Sequence, residues 1–169
     1  MKRFPWLVLL VTAVVACGCA KKVKEITEID RKQAANLASE AQFAATLRDY
    51  PRAEGLYAQA AALCPDTGAY WLSLGSMRVR QSHRDDARDA YQRALAAFRE
   101  TAQKTKADSE PALQQLYVLA LLGRVDEARS LQAKLPDQYP GDRDVRAFVD
   151  GKRLDQILAD PTFKTLAVQ

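Results

Sequence analysis

Histidine is nearly missing from this chain. The single one, His83, falls in a polar stretch, Ser82-His83-Arg84, that reads as a solvated turn. A metal site or a Ser-His-Asp set needs more partners than that, so the sequence points to no catalytic residue, no metal and no cofactor. The seven glycines are scattered, which excludes a glycine-rich phosphate loop. Of the three cysteines, Cys17 and Cys19 lie close to the start, leaving Cys64 as one unpaired thiol that cannot form an internal disulfide. Placed just before Pro65, Cys64 reads as a small buried hydrophobe. No strand-like alternation stands out. Alanine and leucine dominate, and the class expected is all-α.

The apolar run from Phe4 to Ala16 follows Lys2 and Arg3 and leads into Ala16-Cys17-Gly18-Cys19. A run this short behind basic residues reads as a secretory signal, residues 1–19, and not as a membrane span. Residues 20–29 read as a short linker and 30–169 as the folded domain. Removing Lys2 and Arg3 takes 25 basic residues to 23 against 21 acids, so the net charge falls from +4 to about +2. Bases and acids alternate, as in Arg84-Asp85-Asp86-Ala87-Arg88-Asp89, which is a solvated helix face and not a nucleic-acid footprint. The acid pairs Asp85-Asp86 and Asp126-Glu127 open helices, where negative charge suits the N-terminus.

What the domain does have is a 34-residue self-similarity. Ala53, Tyr57, Ala60 and Pro65 return as Ala87, Tyr91, Ala94 and Arg99, so only the proline is lost. Trp71, Leu74 and Gly75 precede the second copy with the spacing W-x2-L-G. A third copy fits 109–142 after seven inserted residues, with Ala128 and the closing Pro140, but it has no tryptophan and carries Gln132 where a large aromatic is usual. Helix starts are expected near Asp30 and at Ser109, the latter as N-cap with Glu110 and Pro111 in the first turn. A last helix, about Asp142 to Leu158, carries Val145, Phe148, Val149, Leu154 and Ile157 to cover the open end, interrupted at Gly151. Phe163 and Leu166 in the tail fold back over that end as plugs.

This pattern resembles the tetratricopeptide repeat, a pair of antiparallel helices that stacks on its neighbours. The resemblance implies a helical solenoid of about three helix-turn-helix repeats, 34–67, 68–101 and 109–142, with a C-terminal capping helix and tail over 143–169. It also implies a non-enzymatic protein-binding module whose groove is lined by the first helix of each repeat. Repeat register puts Ala38, Gln42 and Thr46 there, then Leu72, Ser73, Ser76 and Arg80, then Leu113, Gln114, Tyr117 and Leu121. Of these, Gln42, Leu72, Ser76, Arg80, Leu113 and Tyr117 are the candidate peptide-binding set. Some family members clamp a peptide carboxylate with lysines and asparagines, but those positions carry Ala38, Gln42, Ser73 and Gln114, which argues against such a clamp.

The end of the leader resembles a bacterial lipobox. Cys19, preceded by Gly18, is the preferred acylation site and Cys17 the alternative register, although neither has the usual leucine three residues upstream. That resemblance implies a lipid-anchored envelope protein; with no aspartate after the cysteine, the outer membrane is favoured, with the domain facing the periplasm. The expected partner is a protein or peptide of the cell envelope. The alternative is a structural or self-associating scaffold using the convex face or the inserted segment. The oligomeric state is open.

Overall fold

Three turns of the same geometry organise the chain. In a computed structural model, which describes residues 25–168, the helices are α1 (Glu28–Thr46), α2 (Tyr50–Leu63), α3 (Gly68–Arg80), α4 (Arg84–Lys104), α5 (Glu110–Leu121) and α6 (Val125–Gln138). Three shorter helices follow: α7 (Arg143–Asp150), α8 (Arg153–Ala159) and α9 (Pro161–Leu166). The turns joining α1 to α2, α3 to α4 and α5 to α6 each place one residue in the left-handed region: Arg48 at φ 61°, Ser82 at 67° and Gly123 at 72°. In each, the next N–H reaches back to close the helix: Asp49 to the Ala44 carbonyl, His83 to Arg78 and Arg124 to Leu119. This is the Schellman closure, which satisfies carbonyls the helix end would otherwise orphan.

The helices pair in sequence order as antiparallel hairpins, α1 with α2, α3 with α4 and α5 with α6, and each hairpin packs on the next through α2–α3 and α4–α5. The described residues form an all-α stack, a solenoid of the tetratricopeptide type. Alanine makes the close approach possible, since Ala34, Ala41, Ala53, Ala60, Ala87 and Ala94 are fully buried between helices. Gly75 goes further. A Cβ there would collide with the Tyr91 ring, so only glycine lets Tyr91 pack this closely against α3. Trp71 packs against two of the hydrophobic clusters, donates Nε1–H to the Pro65 carbonyl at 3.0 Å and carries the Arg93 guanidinium over its ring at 4.9 Å. The repeat-defining residues thus fall where the helices touch, except Pro65 and Pro140, which are exposed and end their helices.

Helix α1 begins at Glu28, inside the stretch expected as linker, because Thr27 and Asp30 form a reciprocal capping box: Thr27 Oγ1 accepts from the Asp30 N–H and Asp30 from the Thr27 N–H. The inserted residues lengthen α4 to Lys104 and then turn through 105–108. Ser109 does not cap α5 with its side chain. Asp108 does, accepting the Glu110 N–H at 3.0 Å, while Ser109 is buried and hydrogen-bonds Asp142 at the start of α7. These bonds hold the Asp142 carboxyl below the usual range, led by its acceptance of the Val145 N–H.

The single capping helix is also corrected. The chain breaks at Lys152, which takes φ 51°, and Asp160 restarts it by capping α9 through the Thr162 N–H at 2.7 Å. Val145 seats α7 against α6 and Leu154 seats α8 against α5, both fully buried. The tail does not stop over the open end. It continues to α3 and α5, two helices back into the stack.

Candidate functional site

The first helices of the hairpins line one concave groove. It encloses about 740 Å³ between Gln42, Thr46 and Arg48 on one side and Leu72, Ser73, Ser76, Arg80 and Tyr117 on the other, with Tyr50, Tyr57 and Met77 beneath. Regular 3.6-residue spacing explains the α3 contribution, because Leu72, Ser76 and Arg80 follow one another at i+4 along one face. The structure therefore brings together Gln42, Leu72, Ser76, Arg80 and Tyr117. Leu113 instead packs half-buried against the main core, and Leu121 is wholly buried, so neither presents its side chain to this cavity. Ala38 packs against the two N-terminal core clusters. Gln114 lines a neighbouring hollow of about 600 Å³ with Asp66, Phe98 and Pro111, which shares Leu72 and Ser73 with the first.

The charged residues lining the groove are Arg48 and Arg80; no acidic side chain among the described residues lines it. Arg80 stands over the Tyr50 ring at 5.3 Å, an arrangement that orients the guanidinium and leaves its N–H donors available. Tyr57 donates to the Gln42 side-chain oxygen at 3.1 Å, so the floor is hydrogen-bonded to the rim. Two nearby acids are committed elsewhere: Asp49 accepts from the Arg52 N–H at 3.3 Å, and Glu54 accepts from Arg78 Nε at 3.0 Å and from Gln81 at 2.7 Å. Positive character in a partly enclosed site is thus left without an internal counter-charge on its lining.

At the α5 end the groove meets the C-terminal tail. Phe163 is buried and makes an edge-on contact with Tyr117, ring centres 5.4 Å apart. Burial pushes the Tyr117 hydroxyl up, and pushes Tyr91 up to about 12, with the Ser76 hydrogen bond acting against the rise. The sequence pattern indicated that Phe163 folds back, but not that its partner is Tyr117, far from it in the chain.

The chemistry-bearing residues are dispersed. His83 is exposed in its turn, with Nδ1 3.9 Å from Glu54. Cys64 is buried and burial raises its thiol pKa, so its reactive thiolate is disfavoured. Among the described residues no cluster of three or more His, Cys, Asp or Glu could hold a metal, and no helix is long and apolar enough to cross a membrane. Cys17 and Cys19, with the leader, lie outside the described residues.

No family model matches the chain, and no curated protein matches it. Among solved structures it is similar to YrrB, described as a TPR protein with an unusual peptide-binding site. The identity is 18%, over 82% of this chain and 85% of that one, with a TM-score of 0.38.

Proposed function

We propose that this protein is a non-enzymatic adaptor of the bacterial cell envelope that holds a partner peptide in its concave groove. The observation that carries the reading is the groove itself: a polar and aromatic lining whose charged residues are Arg48 and Arg80, with no acid among the described residues that line it. Such a lining suits an extended peptide or helix that carries an acidic side chain and lays apolar residues on Leu72 and Tyr117. Guanidinium groups are well shaped for carboxylates, pairing with them through two parallel hydrogen bonds.

The lipobox-like Gly18-Cys19 supports attachment to the membrane through acylated Cys19, with Cys17 the alternative and the outer membrane the favoured side. A lipid-anchored protein carrying a peptide groove would gather partners at the membrane surface during assembly or secretion.

A photocrosslinking residue at Ser73 in the full chain tests the groove. The expected result is a discrete crosslink to an envelope protein, absent when the same residue replaces exposed Gln92 on α4. Equal capture at both positions would overturn it. Labelled fatty acid incorporated by the wild-type chain, and lost in Cys19→Ser, tests the anchor.

A second reading has its own observation. The lengthened α4 and the inserted turn form a cleft of about 530 Å³ with α6, lined by Gln103, Lys106, Leu131 and Tyr139. A scaffold that self-associates would use this face. Deleting residues 104–107 would then reduce complex size while leaving groove crosslinks intact.

A further inference from the structure

The last residues of the chain are bound as a receptor binds a peptide. Three successive carbonyls are each taken by a side chain: Leu166 by the Tyr91 hydroxyl at 3.2 Å, Ala167 by Arg84 at 3.0 Å and Val168 by Arg88 at 3.3 Å. The Val168 N–H donates in turn to the Leu121 carbonyl at 2.8 Å. Ala167 has left the helix and is extended, at φ −71° and ψ 141°. Ala167 and Val168 are nearly fully buried, and Phe163 fills the space against Tyr117.

Packing within a repeat stack looks different. There, alanine and leucine side chains meet while the main chain is satisfied inside its own helix. Here the seat reads main-chain groups, using side chains from α4 and a carbonyl from the end of α5. That is recognition of an extended segment through its backbone, with apolar pockets setting which side chains fit.

The seat is also continuous with the open groove. Tyr117 lines the groove and touches Phe163. Ser76 lines the groove one residue along α3 from Gly75, against which the Tyr91 ring packs, and Tyr91 holds the tail. A partner lying along α3 and reaching Tyr117 therefore meets the tail.

We propose that residues 161–168 are a tethered ligand, and that their seat is a peptide-binding site which accepts in trans an extended segment of the same kind: an aromatic residue followed a few positions later by small aliphatic ones. This deepens the groove reading and rests on it. Tethering gives the tail a high effective concentration, so a free peptide binds the intact chain weakly. Its apparent affinity is set by the fraction of molecules whose tail is out. Because the segment follows the last hairpin, the contacts that join hairpin to hairpin do not run through it.

The test uses full-length protein and a fluorescein-labelled peptide of residues 160–169. Fluorescence anisotropy compares wild type with Phe163→Ala, whose tail is loosened. The expected result is binding at least about tenfold tighter to the variant, abolished when Arg84→Ala is added or when the peptide carries the same alanine. Equal affinity for wild type and variant, or no binding to either, overturns the proposal. Val168→Lys, which loosens the tail without touching Phe163, must reproduce the gain; if Phe163→Ala does not fold, Val168→Lys decides alone. Should the peptide bind the variant while Ser73 yields no groove crosslink, the envelope reading fails and the tethered-ligand proposal stands. Should Ser73 crosslink a partner while the peptide binds neither protein, the tail proposal alone fails.

Discussion

Tyr91 packs its ring against Gly75, so closely that a methyl group at Gly75 would run into the ring. The contact joins the two helices of the second hairpin and sets where the Tyr91 hydroxyl points. That hydroxyl meets the Leu166 carbonyl, so a structural feature of the repeat also fixes one end of the tail seat.

Gly75→Ala should therefore destabilise the protein by about 1–3 kcal/mol through overpacking. Denaturant unfolding measures it. The penalty should shrink in a Tyr91→Leu background, because removing the ring frees the space and the two sites are coupled. An undiminished penalty would mean that the contact is not what limits residue 75.

Two substitutions should stabilise. Gly55 is exposed in α2 and nothing lies within 4 Å of where an alanine methyl would sit, so Gly55→Ala gains about 1 kcal/mol of helix propensity. Ser82 holds a left-handed conformation in an exposed turn, and Ser82→Gly relieves about 1 kcal/mol. Each is read from the denaturation midpoint at unchanged slope.

Alkaline pH should loosen the stack. Native Tyr91 favours its neutral form, with its pKa raised from 10 to about 12 mainly by burial. Its contribution is fully present below pH 10 and is lost as pH rises through about 12. Half-buried Tyr117 shifts the same way. Stability measured between those two pH values should fall across the window, and Tyr91→Phe should flatten the decline.

Much of the fold was legible locally. The 34-residue register, with small residues at 53, 60, 87 and 94 and aromatics at 57 and 91, placed the hairpins because close helix packing needs that pattern wherever it occurs. The turns were less legible. Only one of the three left-handed positions is glycine, and Arg48 and Ser82 carry no local mark of the conformation the Schellman closure imposes on them. Ser109 holds the N-cap position expected of it, but its side chain is buried and turned to Asp142, so the cap bond passes to Asp108. That Phe163 and Leu166 fold back was legible, but their partners were not, since Phe163 finds Tyr117 and the Leu166 carbonyl finds Tyr91 only after the hairpins have stacked. For the same reason Leu113 and Leu121 were placed in the groove by register, whereas contacts with the core and tail claim them.

The groove as working surface is tested most directly by capture from membranes. Full-length protein and a Leu72→Glu/Arg80→Glu variant, both shown folded by circular dichroism, are crosslinked in the cell and their partners identified, with Gln92→Glu as control. The account predicts one envelope partner held by wild type and by the control, and lost in the groove variant. Retention of that partner by a folded groove variant would contradict it.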